Sequence, residues 1–164
     1  MKLRPGTPSD AEQFAALIMS HRALLTLDPE GHGAEQFFES VSVRAVRGYL
    51  ESSRYSYTVL EANGEILGFV AIRDQNHLFH MFVAKEHQGK GVGRQLWESA
   101  LRSATDNSNP LSFTVNSSPN AVPVYRRFGF KEASARVEVH GVAFIPMVRR
   151  LGENDAQPFV QADA

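Results

Sequence analysis

Apolar positions along the chain change their period several times, and each change marks a boundary between elements. Leu3-Arg4 begins a short strand that Pro5-Gly6 ends. Thr7-Pro8-Ser9-Asp10 then predicts a helix start with Ser9 as N-cap, followed by Phe14, Leu17, Ile18 and Leu25 at helical spacing. Gly31-His32-Gly33 breaks the pattern. A second helix is predicted over about 34–53, with Phe38, Val41, Ala45 and Tyr49 on one stripe. The texture then turns to β-formers over 55–62. Asn63-Gly64 is a two-residue hairpin signal, and 66–72 reads as the return strand. A polar turn at Asp74-Gln75-Asn76 leads to a third strand over 78–83. These three predict an antiparallel meander.

Gln88-Gly89-Lys90-Gly91-Val92-Gly93 separates that strand from a helix whose Val92, Leu96, Ala100 and Ala104 share one face, with Glu98 and Arg102 placed to pair in solvent. A turn over 107–110 precedes a strand over 111–115. A short helix carries Val124, Tyr125 and Phe128, with Gly129 at its C-cap. Two late strands, 135–140 and 142–148, meet at Gly141, and the chain from Gly152 is polar and expected to fray. This order predicts a mixed α/β sandwich around one sheet. The meander excludes a purely parallel, doubly wound sheet.

Composition narrows the function classes. A chain of 164 residues with 43% hydrophobic and 21% charged residues fits one domain. The absence of cysteine excludes disulfides, thiolate metal sites and a cysteine nucleophile. A net charge of −1 provides no basic field for nucleic acid. No apolar run reaches membrane-spanning length, and Met1-Lys2-Leu3-Arg4-Pro5 lacks a signal-peptide core, so a soluble cytoplasmic protein is expected. The six histidines, His21, His32, His77, His80, His87 and His140, form no helical pair or carboxylate cluster of the metal-binding kind, and no metal is expected.

The glycine-rich turn carries the first candidate chemistry. Alternating glycines let backbone approach a ligand closely, and the helix that follows aims free N–H groups and its positive dipole end at the same place. Lys90 and Arg94 add charge. A Walker loop is excluded because Gly91 follows Lys90 and position 84 is alanine; a dinucleotide fingerprint starting at Gly89 fails at Arg94. The segment resembles instead the pyrophosphate loop of the GNAT superfamily of acyl-CoA N-acyltransferases, Gln/Arg-x-x-Gly-x-Gly/Ala, through Gln88, Gly91 and Gly93. Without a ligand it would read as a tight strand-to-helix turn.

A second motif strengthens the resemblance. Residues 116–130, from Asn116 through Asn120 and Tyr125 to Gly129-Phe130, are similar to the later GNAT motif, an Asn-led strand end and a short helix ending Tyr-x-x-x-Gly-Phe. Pro123 is tolerated if that helix begins close before it. The resemblance implies a GNAT-like domain over 1–151 with a polar tail over 152–164. It also implies a mostly antiparallel sheet flanked by helices and splayed between its fourth and fifth strands. The implied cosubstrate is acetyl-coenzyme A. The implied reaction is acetyl transfer to a primary amine of a small molecule, peptide or protein, by direct attack in a ternary complex.

The same resemblance assigns roles. Tyr125 would protonate the departing thiolate, since a phenol of pKa ~10 can serve a thiol of ~8.5; read from helix spacing alone it is an aromatic packed on the sheet. Met81, Phe82 and Val83 would present backbone N–H groups to pantetheine and the thioester carbonyl. Gln88, Gly89, Lys90, Gly91, Val92, Gly93 and Arg94 would hold the pyrophosphate. Asn116 and Asn120 would contact the cofactor, although Asn116 also reads as a strand-end turn residue. His77 stands eleven residues before Gln88, where some relatives carry a glutamate base, and His80 is the other candidate base. Phe37, Phe38, Tyr49, Tyr55 and Phe144 are candidate walls of an acceptor pocket, with Gly31-His32-Gly33 as a mobile lip. A homodimer is one expected assembly. A non-catalytic acyl-CoA sensor, or a scaffold subunit, is the alternative class.

Overall fold

The computed structural model describes residues 1–152. Its elements, in chain order, are β1 (Lys2–Pro5), α1 (Ala11–Ser20), α2 (Arg22–Leu25), α3 (Glu35–Ser40), α4 (Val43–Glu51), β2 (Tyr55–Ala62), β3 (Glu65–Arg73), β4 (His77–Val83), α5 (Val92–Asn107), β5 (Ser112–Ser117), α6 (Val122–Arg127), β6 (Lys131–Glu132), β7 (Val137–Val139) and β8 (Val142–Arg150). The sheet order is β1-β2-β3-β4-β5-β8-β6, with β7 paired to β8. All pairings are antiparallel except β4 with β5. That parallel pair is joined only at His77↔Thr114 and Leu78↔Val115. Beyond Leu78 the two strands part, as the resemblance implies for the fourth and fifth strands.

Period-two alternation divides the core between the sheet's faces. Phe69 and Ala71 pack with Phe14, Ile18 and Val46 of the early helices. Val70 and Ile72 pack with Leu96, Trp97, Ala100 and Leu101 of α5. The β2–β3 hairpin turns at Asn63 (φ 54°) and Gly64 (φ 78°), the paired positive angles its sequence predicts.

Several boundaries differ from expectation for local reasons. The helix expected over 34–53 is interrupted at Val41-Ser42. Ser42 is extended, and its hydroxyl accepts from the Ala45 N–H at 3.1 Å, so it caps α4. The first helix bends at His21. Ser9 is not the N-cap: the turn over 8–10 starts at Thr7, whose N–H donates to the Asp10 carboxylate at 2.8 Å. The strand expected over 111–115 runs Ser112–Ser117, leaving Leu111 outside and 86% exposed. The strand over 135–140 shrinks to β7, and β6 was not anticipated. Of the polar tail, residues 153–164 lie outside the described residues. No described helix is long and apolar enough to cross a membrane.

Candidate active site

The turn before α5 is shaped by Gly89 (φ 73°) and Gly91 (φ 83°), left-handed angles that side-chain-bearing residues resist. A Cβ at either would meet nothing within 4 Å. Backbone angle, not crowding within the protein, therefore selects glycine there. The helix's backbone bonding opens with the Gln95 N–H donating to Gly91 O at 3.0 Å. The N–H groups of Val92 and Gly93 precede that bond and have no carbonyl within the helix to meet.

The free edge of β4 lies opposite. Ala84 N–H donates to Leu67 O at 2.9 Å. In an antiparallel ladder the backbone groups alternate in direction, so those of Val83 and Met81 turn away from β3 toward the parted β5. The Val83 carbonyl accepts from Gln88 Nε2 at 3.2 Å and from His21 Nε2 at 2.9 Å. The N–H groups of Met81 and Val83 face the gap.

Tyr125 forms the third side. Pro119 opens a short 3-10 turn, and Pro123 occupies the early position in α6 where its missing N–H costs little. Gly129 (φ 94°) closes the helix, and Phe130 N–H donates to Tyr125 O at 3.0 Å. The ring is 6% exposed and meets Phe128 and Phe130 edge-on. Burial raises the pKa of its phenol, so it is held protonated. Among the described residues, none hydrogen-bonds its hydroxyl.

These parts border one cleft of ≈550 Å³. Of the residues expected at the site, Met81, Phe82, Val83, Gln88, Gly89, Gly91, Gly93, Arg94, Asn120 and Tyr125 line it. Lys90 is exposed beside it, Val92 is buried in the core under α5, and Asn116 is exposed on β5 opposite Pro146. His77 stands where β4 and β5 are still joined, its Nδ1 2.8 Å from Thr114 Oγ1. Burial lowers its pKa, and nearby Arg73 lowers it further. His80 stacks on Phe79 at 4.0 Å, with its Nδ1 buried and unpartnered; burial pushes its pKa down to about 3. Neither histidine lines the cleft. Nor do Phe37, Phe38, Tyr49, Tyr55 and Phe144. Tyr49 and Tyr55 instead form an aromatic cluster with Phe79 on the α4 face. In the expected lip, His32 Nδ1 lies 2.7 Å from Asp28 Oδ2, while Gly141 of the β7–β8 turn sits against Gly33.

The sequence reading missed His21, Leu24, Leu25, His87, Ser118, Ala121, Val124, Arg127 and Phe128, which also line the cleft. Val124 directly precedes Tyr125 and Phe128 follows it one turn later, so both were readable in principle. His21, Leu24 and Leu25 arrive by tertiary packing from a distant segment.

The acetyltransferase (GNAT) domain model matches residues 25–151. The chain belongs to the GNAT family. The match to this GNAT domain spans the glycine turn, β4 and α6 but begins after His21. Mouse N-acetyltransferase 8F1 is 27% identical over 121 residues, 67% of this chain and 54% of that protein. Rat N-acetyltransferase family 8 member 2 is 27% identical over 107 residues, 58% of this chain and 44% of that protein. The chain thus spans about half the length of the curated relatives it matches. A GCN5-related N-acetyltransferase from Rhodopseudomonas palustris superposes with a TM-score of 0.75 at 22% identity, covering 92% of this chain and 95% of the other. The PaiA N-acetyltransferase of Thermoplasma acidophilum, solved with coenzyme A, gives 0.71 at 16% identity over 92% and 98%. At these identities the likeness is one of fold.

Proposed function

We propose that this GNAT chain transfers an acetyl group from acetyl-coenzyme A to a primary amine by direct attack within a ternary complex. One observation carries the reading: a single cleft joins the α5 N-terminus, the unpaired edge of β4 and the Tyr125 hydroxyl. The first suits a pyrophosphate, because N–H groups and the helix dipole converge on it. The second offers the Met81 and Val83 N–H groups to pantetheine and the thioester oxygen, where developing negative charge is stabilised by fixed donors. The third holds a proton for the departing sulfur. Asn120 and Arg94 add polar contacts along the same wall.

The acceptor side favours one chemical class. Leu24, Leu25 and Phe82 give an apolar wall, and none of the described residues lining the cleft is Asp or Glu. That apolar wall supports an amine on an apolar body, free or at the end of a peptide, as the acceptor. Calorimetric titration with acetyl-coenzyme A, followed by thiol release over a panel of amines, tests both parts. Binding with faster release for 2-phenylethylamine than for spermidine is expected. Binding without release from any amine would favour a sensor, and absence of binding would refute the reading.

A further inference from the structure

His21 sits at the bend between α1 and α2, 7% exposed, and lines the same cleft as Tyr125. Its Nε2 lies 2.9 Å from the Val83 carbonyl oxygen. A carbonyl oxygen can only accept, so Nε2 carries the proton and the neutral ring keeps its lone pair on Nδ1. That Nδ1 has no partner among the described residues, yet it is not sealed from solvent as the Nδ1 of His80 is. Phe82 holds the ring at 5.7 Å between centroids.

The surroundings favour the neutral ring. Burial is the largest influence lowering the His21 pKa; Lys85 acts in the same direction, and the bond to Val83 opposes them. The other titratable or charged groups lining the cleft are His87, Arg94, Arg127 and Tyr125, none of them a carboxylate that would hold an imidazolium.

We infer that His21, rather than a histidine of β4, takes the proton from the attacking amine. This rests on the acetyl-transfer reading above. The lone pair of the neutral amine forms the N–C bond at the thioester carbonyl carbon, and one N–H proton passes to His21 Nδ1. The C–S bond breaks with its electron pair going to sulfur, which takes the Tyr125 hydroxyl proton. The products are an amide and a free thiol. Return of the imidazolium proton to the Tyr125 phenolate, through water in the emptied cleft, restores both side chains.

His21→Gln separates this role from a structural one, because the glutamine amide still offers an N–H to Val83 O but provides no base. Acetyl-coenzyme A affinity is expected to stay at the wild-type level. Turnover of 2-phenylethylamine should fall about 100-fold, the scale of a lost general base. The limb of the kcat/KM pH profile that reports loss of the base in acid should vanish. Hydroxylamine, a much weaker base that needs less help to shed a proton, should lose far less. An unchanged rate, an unchanged acid limb or equal losses with both nucleophiles would overturn the assignment. Nitrogen NMR of the wild-type imidazole tests it without turnover: the proton must reside on Nε2 at neutral pH, and an Nδ1-protonated ring would refute it. Failure of the wild-type protein to bind acetyl-coenzyme A would instead overturn the acetyl-transfer reading.

Discussion

Tyr125 and Tyr57 show how differently two buried phenols behave. Both have pKa values raised chiefly by burial. Tyr125 borders the cleft, whereas the Tyr57 hydroxyl is sealed in the α1–α4 core with no partner, its ring 5.5 Å from Phe14. Tyr125→Phe is therefore expected to leave coenzyme A binding intact and to slow transfer about 100-fold or more, the usual scale for a lost general acid. Calorimetry and single-turnover thiol release would show it, and an unchanged rate would remove Tyr125 from the acid role. Tyr57→Phe removes a polar atom that gains nothing from burial. Its stability should stay level or rise by about 1 kcal/mol in a denaturant titration, since an unpaired buried hydroxyl carries an unrecovered desolvation cost. Neither expectation follows from residue type; each follows from what surrounds the oxygen.

At the scale of elements, the turn into α5 separates backbone demands from ligand demands. Gly91 needs a positive φ, so Gly91→Ala should strain the turn by about 1–2 kcal/mol although its Cβ meets no protein atom. Gly93 lies within α5, and its added Cβ would meet Val83, Met81 and Phe128 side-chain atoms only at 3.8–4.0 Å, ordinary contact. Gly93→Ala should therefore fold at least as stably as the parent, with alanine's helix preference in its favour. The motif accepts alanine at this position, so acetyl-coenzyme A binding should survive it, whereas Gly93→Glu, which adds bulk and like charge, should abolish binding under the proposed phosphate placement. Thermal melts and calorimetry on the three variants distinguish these effects. Full affinity in Gly93→Glu would move the phosphates away from this turn.

Across the whole molecule, an ion cluster fastens the sheet edge to the first helix. Arg4 holds Asp10 at 2.9 Å and Glu61 at 2.8 Å, joining β1, the start of α1 and β2. The Arg4 hydrogen bond, its largest influence, lowers the Asp10 pKa in the folded protein. A depressed carboxylate pKa gives stability that is present above the unfolded value, near ~3.9, and lost as pH falls through the folded value. Asp10→Asn should cost about 1–3 kcal/mol at neutral pH and flatten the acid limb of the stability curve. Denaturant titrations from neutral pH into acid would check both, and an unaltered acid limb would show that other carboxylates control it.

The chain by itself determined what depends on neighbours in sequence. Asn63-Gly64 supplies two residues that accept positive φ, so the hairpin could be read directly. The glycines before α5 and the Tyr-x-x-x-Gly-Phe segment lie each within one short stretch, so the turn and Tyr125 could be found from spacing and resemblance. Element ends were less legible where one local competitor won, as Ser42 does by capping α4 inside a continuous helical pattern. Tertiary structure alone decided which side chains share the cleft. Asn116 and Tyr125 belong to one motif, yet strand alternation leaves Asn116 exposed while helix geometry brings Tyr125 to the cleft. His77 and His80 are one helical-looking step apart on β4, but the register shift between Ala71 and Ile72 and the surrounding rings bury His80's nitrogen instead of opening it. His21 reaches the Val83 carbonyl across 62 residues of chain, a contact set by how α1 packs on the sheet and by no pattern near His21 itself.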